Sequence, residues 1–395
     1  MPYVRKRVVV HFPGFEPLDA LAHRSRYERS ADQSAAAWDH AIVTGPLEGD
    51  RQSPSFLVEA TGPDWHTKTR VHILDHNDLI AGLHSKPLIQ RILDGYISAA
   101  HVIVQGGLQG YFRHAWRFGL FFLFPFLLVA IGLELAVTLA GLPVFFGLSA
   151  LLLILTIPAG LLFFIRIFLP AAERLYTLHL FSDWELALSL ARLDNADANR
   201  RLDVCLAAFR VALSEPADEY VITSHSMGSS MAVHVTGMLL SDEPEFFAGK
   251  TVVFATLGSG LLQCALLGSA RILRQRTGLI ARCKEIFWMD VQCLTDSIHF
   301  YKSKPVSAAG HADAPQATVT RIRFKYMLTP QRYRRIRRDF LRVHRQYVLG
   351  SDRRSAFDFS LMTSGPLPAR DFAGFSQENL PPFQADGAIG SPASA

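Results

Sequence analysis

The chain has 395 residues, 49% of them hydrophobic and 19% charged, enough for one large domain or two ordinary ones and too apolar for a purely soluble protein. Its net charge of +5 is modest, and no nucleic-acid-binding motif accompanies it, so a nucleic-acid partner is not expected. The four cysteines, Cys205, Cys264, Cys283 and Cys293, show no C-x-x-C spacing, which argues against a zinc site and suits a reducing compartment.

The first residues, Met1 to Arg7, run into Val8-Val9-Val10 without the apolar core of a signal peptide, so the chain is expected to begin on the cytoplasmic side. Arg7–Phe12 reads as a buried strand, closed by Pro13 and Gly14. Leu18–Asp39 reads as a surface helix. His40–Gly45 and Ser55–Glu59 flank a turn-rich Pro46–Asp50, as in an antiparallel ribbon, and Arg70–Asp75 is a further strand. Lys86–His114 is expected to be helical.

From Phe118 to Ile165 the only ionisable side chain is Glu134, and the run is interrupted by Ala140-Gly141-Leu142-Pro143. A spanning helix needs roughly 20 apolar residues, so this stretch is expected to form a two-helix membrane hairpin, kinked at Pro125 and Pro158. Arg113, Arg117 and Arg166 flank its ends and Trp116 supplies an interfacial ring, which by the positive-inside rule puts both ends in the cytoplasm. Glu134 reads as a structural or near-interface acid rather than a catalytic one.

Beyond Pro170 the pattern is amphipathic, and a helix over Asn199–Leu213 leads to Tyr220-Val221-Ile222. Then come Ser224-His225-Ser226-Met227-Gly228 and a helical pattern through Met231, Val235, Met238 and Leu239. Strands are expected at Thr251–Leu257, Glu285–Val291 and Ala317–Leu328, with a helical stretch over Leu261–Ile280, a basic helix at Gln331–Val343 and a disordered Pro/Gly/Ala/Ser-rich tail from Pro366. Strands alternating with helices define an α/β fold with a mostly parallel sheet covered on both faces.

A serine on a tight strand-to-helix turn needs small neighbours two before and two after it, and Ser224 and Gly228 meet that need around Ser226. With His11-Phe12-Pro13-Gly14-Phe15 after the first strand, and an acid then a histidine after the later strands, the order of features resembles the lipase and esterase members of the α/β-hydrolase superfamily. The likeness covers Arg7–His114 and Glu173–Pro366. The chain then divides into hydrolase segments at 1–114 and 170–365, a hairpin insertion at 115–169 and a tail at 366–395.

The resemblance implies Ser226 as nucleophile, with an oxyanion hole from the Met227 backbone N–H and the loop at Gly14 and Phe15. For the acid, Asp296 lies in the turn after its strand and Asp290 lies within it; the lipase-like arrangement favours Asp296. For the base, His344 follows the last strand in an H-x-x-Y setting, although a basic helix makes that loop unusually long; His299 and His311 come too early, and His225 reads as packing. No metal or organic cofactor is implied. Arg332, Arg334, Arg335, Arg337 and Arg338 form a basic face that suits anionic lipids beside a bilayer. The expected activity is cleavage of a lipid or other amphipathic ester through an acyl-enzyme; the alternatives are an acyltransferase with the same triad and a silent scaffold.

Overall fold

The computed structural model describes residues 3–390. Its strands are β1 (Lys6–Phe12), β2 (Ala41–Thr44), β3 (Ser55–Thr61), β4 (His66–Ile73), β5 (Glu219–His225), β6 (Val252–Leu257), β7 (Ile286–Cys293) and β8 (Thr318–Ile322). They form one mixed sheet in the order β2-β3-β4-β1-β5-β6-β7-β8. β1 is central, parallel to β4 on one side and to β5 on the other. The expected ribbon, β2 with β3, is antiparallel but is joined through β3–β4 to the main sheet as its edge.

Side chains alternate between the two faces of a strand, and both faces here are apolar. Val8, Val10 and Phe12 of β1 join Ile222 and Phe254 in one core, while Val9 joins Val221, Ala255 and Met289 in the other. Helices Ala196–Ser214 and Gly228–Asp242 cover the first face through Phe209, Met231 and Val235. Helix Ala20–Trp38 covers the second through Tyr27, Ala31 and Trp38.

Two helices, Gly107–Phe145 (39 residues) and Ala150–Glu173 (24 residues), are long and apolar enough to cross a membrane. They differ in detail from the expected hairpin. Pro143 stays inside the first helix, and the chain reverses at Gly147, whose φ of 63° suits a residue without a Cβ. The non-helical residue in the first helix is Ala115 (φ −156°), not Pro125, and a π-helical turn at Phe164–Phe168 follows Pro158 by a turn and a half. Gly160 packs so closely on the first helix that a Cβ there would lie 2.5 Å from the Ala136 carbonyl oxygen, the small-residue contact that lets membrane helices approach. Glu134 is exposed on the first helix.

The base of the hairpin belongs to the body of the protein. Phe118 stacks near Phe300 (4.2 Å between centroids), Phe122 meets Trp184 edge-on and Phe126 stacks on Phe181. The hairpin is therefore not a simple insertion bounded at 115 and 169, because the aromatic residues that open its first span are also core residues.

The tail expected to be disordered is packed over residues 366–390; residues 391–395 lie outside the described residues. Arg7, fully buried, pairs with Glu219 (2.7 Å) and donates to the carbonyls of Gly365 and Leu367, while Glu219 accepts the Ala369 N–H. Leu367, Ala369 and Phe372 are buried behind this network. Composition concealed these few apolar anchors among the prolines and glycines. Phe372→Ala is expected to lower stability by about 3–5 kcal/mol, read as a lower Tm in detergent; an unchanged Tm would mean the tail is not part of the core.

Candidate functional site

The turn after β5 brings the first group. Ser226 has φ 52°, a left-handed conformation that a residue with a Cβ adopts only when its surroundings enforce it. The enforcing contacts are backbone: a Cβ on Gly228 would lie 2.3 Å from the carbonyl oxygens of both Phe12 and Pro13. A Cβ on Gly14 would lie 2.9 Å from His225 Nδ1 and 3.1 Å from Ser226 Cβ. The two glycines thus allow the loop after β1 to press against the serine turn. Sheet register prepares the meeting, since Phe12 is opposite Ser224.

The second group comes from the short helix Phe340–Arg345. His344 Nδ1 lies 2.8 Å from Asp296 Oδ2. A carboxylate only accepts, so Nδ1 donates, which in the neutral ring leaves the lone pair on Nε2. His344 Nε2 has no hydrogen-bond partner among the described residues, and Ser226 and His344 line one small cavity. Burial alone would raise the Asp296 carboxyl, but the attraction of His344 and His299 and their hydrogen bonds outweigh it and hold the group far below the ordinary carboxylate range. Asp296 stays ionised and orients the His344 ring.

Neighbouring residues fix this pair. His225, read from the sequence as packing, donates from Nε2 to the His344 carbonyl (2.9 Å), and the rings are 4.7 Å apart. Burial, aided by His344, pushes the His225 pKa down to about 3, so the ring is neutral. Tyr347, one turn beyond His344, accepts the Cys293 N–H at the end of β7 and fills the space beside Gly258.

Gly14 and Phe15 also line the cavity. Met227 directly precedes the helix Gly228–Asp242; Ser229 and Ser230 donate to the Ser226 and Met227 carbonyls, while the Met227 and Gly228 N–H groups have no backbone acceptor among the described residues. An oxygen anion held against Ser226 would meet these donors. Sequence reasoning gave no site role to five other polar residues of the lining: Glu16, His179, Asp183, Gln263 and Arg345. Asp183 accepts a hydrogen bond from Gln263 (2.7 Å); burial raises its pKa to about 6 against that bond. Burial would raise Glu16 too, but Arg26 and Arg345, both paired with it, pull it down to about 2. No local motif marks these residues, because they converge from separate elements. Phe121, from the first hairpin helix, is part of the same wall.

The remaining candidates fall elsewhere. Asp290 is held inside β7 by Thr256 (2.5 Å) and Gln292 (2.7 Å), whereas the carboxylate bonded to His344 is that of Asp296. His299 reaches the same Asp296 oxygen (3.1 Å) but does not line the Ser226 cavity. His311 is bonded to the Arg274 carbonyl. The expected basic helix is two short ones, Pro330–Ile336 and Phe340–Arg345. Arg332 pairs with Asp352, while Arg334, Arg335, Arg337 and Arg338 are exposed. No group of three or more potential ligands poised for a metal ion occurs among the described residues.

Comparison of the chain with protein-family models, with curated proteins and with solved structures gives no match.

Burial lowers His23 and His179 to about 4, and His76, His225 and His234 to about 3. An unfolded histidine titrates near 6.5, so below that pH the unfolded chain takes up protons that the folded chain refuses. Stability contributed by these neutral rings is present above about pH 6.5 and is lost progressively towards pH 4. Tm in detergent is expected to fall steadily between pH 7 and 4.5, and the fall should be shallower in His76→Gln. A flat profile would contradict the burial of these rings as neutral groups.

Proposed function

We propose that the chain is a membrane-anchored serine hydrolase of the α/β-hydrolase type that cleaves an ester of a lipid or other amphipathic molecule. The observation that carries the reading is a left-handed Ser226 on a strand-to-helix turn sharing one cavity with the free Nε2 side of His344, whose Nδ1 is engaged by buried Asp296. An ordinary helix-capping serine would need neither the strained φ nor the imidazole and carboxylate beside it.

In this reading the Ser226 Oγ attacks the ester carbonyl carbon as His344 Nε2 takes its proton. The resulting oxyanion is held by the Met227 N–H and the Gly14–Phe15 loop. Collapse of the tetrahedral species breaks the bond to the alcohol, which leaves with the proton from His344. Water, deprotonated by the same nitrogen, then splits the acyl-serine into acid and free serine. Ser226 makes no hydrogen bond to His344 among the described residues, and the contact closes as substrate enters, as is common for catalytic bonds.

Two features support a lipid-like substrate. The cavity is walled by Phe121, on the helix that also supplies the first span. Most exposed side chains of that helix beyond the body, among them Leu127, Ile131 and Val137, are apolar, with Glu134 the one ionisable exception. The hairpin spans the bilayer twice, so the two sheet-forming segments that flank it lie on one side. The flanking Arg113, Arg117 and Arg166 favour the cytoplasm for that side.

A fluorophosphonate probe is expected to label the protein in membranes, with labelling abolished in Ser226→Ala. His344→Ala should reduce the labelling rate by about 10³-fold or more, whereas Asp290→Asn should leave it within a few-fold of the parent. Equal labelling of the parent and Ser226→Ala would sink the assignment.

A further inference from the structure

A second cavity, of about 350 Å³, opens where the first membrane helix leaves the body, and it shares no lining residue with the cavity at Ser226. Arg113, Arg117 and Lys302 line it and are exposed. The sole carboxylate of the lining, Asp296, has no exposed side-chain surface and faces two imidazoles, so the three cations have no acidic partner within the cavity.

The walls are held in place from both sides. Arg117 Nη1 donates to the Leu294 carbonyl (2.8 Å), and Ser303 Oγ donates to the His114 carbonyl (2.9 Å), beside the break at Ala115. Lys302 has φ 70°, and its backbone N–H donates to Gln292 Oε1 (2.7 Å). A left-handed lysine costs conformational energy, so the loop is fixed by its contacts rather than by local preference. At the inner end, His299 is 2% exposed and its Nε2 has no hydrogen-bond partner among the described residues. Trp116 and Tyr301, rings suited to the membrane–water boundary, complete the lining.

Three cations with no acidic partner form a site for a multiply hydrogen-bonding anion, closed at its inner end by the buried His299, whose Nδ1 faces Asp296 and whose Nε2 is left without a partner. We propose that this cavity binds a phosphate group, borne by a membrane phospholipid or free in solution, at the base of the hairpin. The position beside the start of an apolar span favours the lipid-borne form. The proposal does not depend on any chemistry at Ser226.

The test uses the full-length protein in detergent, by native mass spectrometry with phosphatidylglycerol or phosphatidylcholine, and by thermal unfolding with inorganic phosphate. Selective retention of phosphatidylglycerol, weakened roughly tenfold or more in Arg113→Gln/Lys302→Gln and unchanged in Arg271→Gln/Lys284→Gln, two exposed cations that do not line the cavity, supports a lipid-borne phosphate. A rise in Tm with inorganic phosphate that the first variant loses, without lipid retention, supports the free anion. Arg117 is kept because it pins the Leu294 carbonyl, and a Tm equal to the parent's in the absence of ligand verifies that the variant folds; should it not, Lys302→Met alone carries the same comparison. Equal binding by parent and folded variant, or no response to either phosphate source, overturns the proposal.

Discussion

The loop that follows β1 must pass directly over the turn that follows β5, and the arrangement of the site depends on that contact. Two missing Cβ atoms permit it: Gly228 leaves room for the carbonyls of Phe12 and Pro13, and Gly14 leaves room for His225 and Ser226. A left-handed residue with a side chain costs of order 1–2 kcal/mol, a strain that the two fully paired parallel strands and the cores on either side of them can sustain. Because β1 and β5 are neighbours in the sheet, residues separated by the whole hairpin in sequence meet at one point.

Charge is kept paired or neutral around that point. Asp296 is ionised against two imidazoles, Glu16 against two guanidiniums, and His225 is neutral because neither Glu16 nor its bond to the His344 carbonyl offsets its burial. An uncompensated charge in so dry a place would cost several kcal/mol. The same economy explains why His344 is held by both its side chain and its backbone: Asp296 fixes the ring nitrogen and His225 fixes the carbonyl. The hairpin enters this arrangement physically, through Phe121 at the cavity and through Phe118, Phe122 and Phe126 in the core.

Much of the fold was legible because its signals are local. The switch from a β-branched run to a 3.6-residue period around Ser226 marks β5, the turn and the helix, and the long uncharged run marks the paired apolar helices. The grouping of Asp296 with His344 was legible only as an order along the chain. Its geometry needed Tyr347 to tie the histidine segment to β7 and His225 to hold its backbone. Other features were misread for identifiable reasons. Pro143 looked like a breaker but falls near the end of a helix, with Gly147 making the turn. Asp339 caps a new short helix by accepting the Arg342 N–H, which divides the basic stretch in two. Glu16, Asp183 and Gln263 carry no local signal at all, since only the tertiary fold brings them together.

The central claim is that Ser226 forms a covalent acyl intermediate. Peptide mass spectrometry of the full-length protein, acid-quenched during turnover of a short-chain activated ester, tests it most directly. The account predicts the acyl mass on the peptide containing Ser226, with the adduct accumulating in Asp296→Asn as deacylation slows. Ester turnover with the acyl group on a different residue, or undiminished turnover by Ser226→Ala, would contradict it.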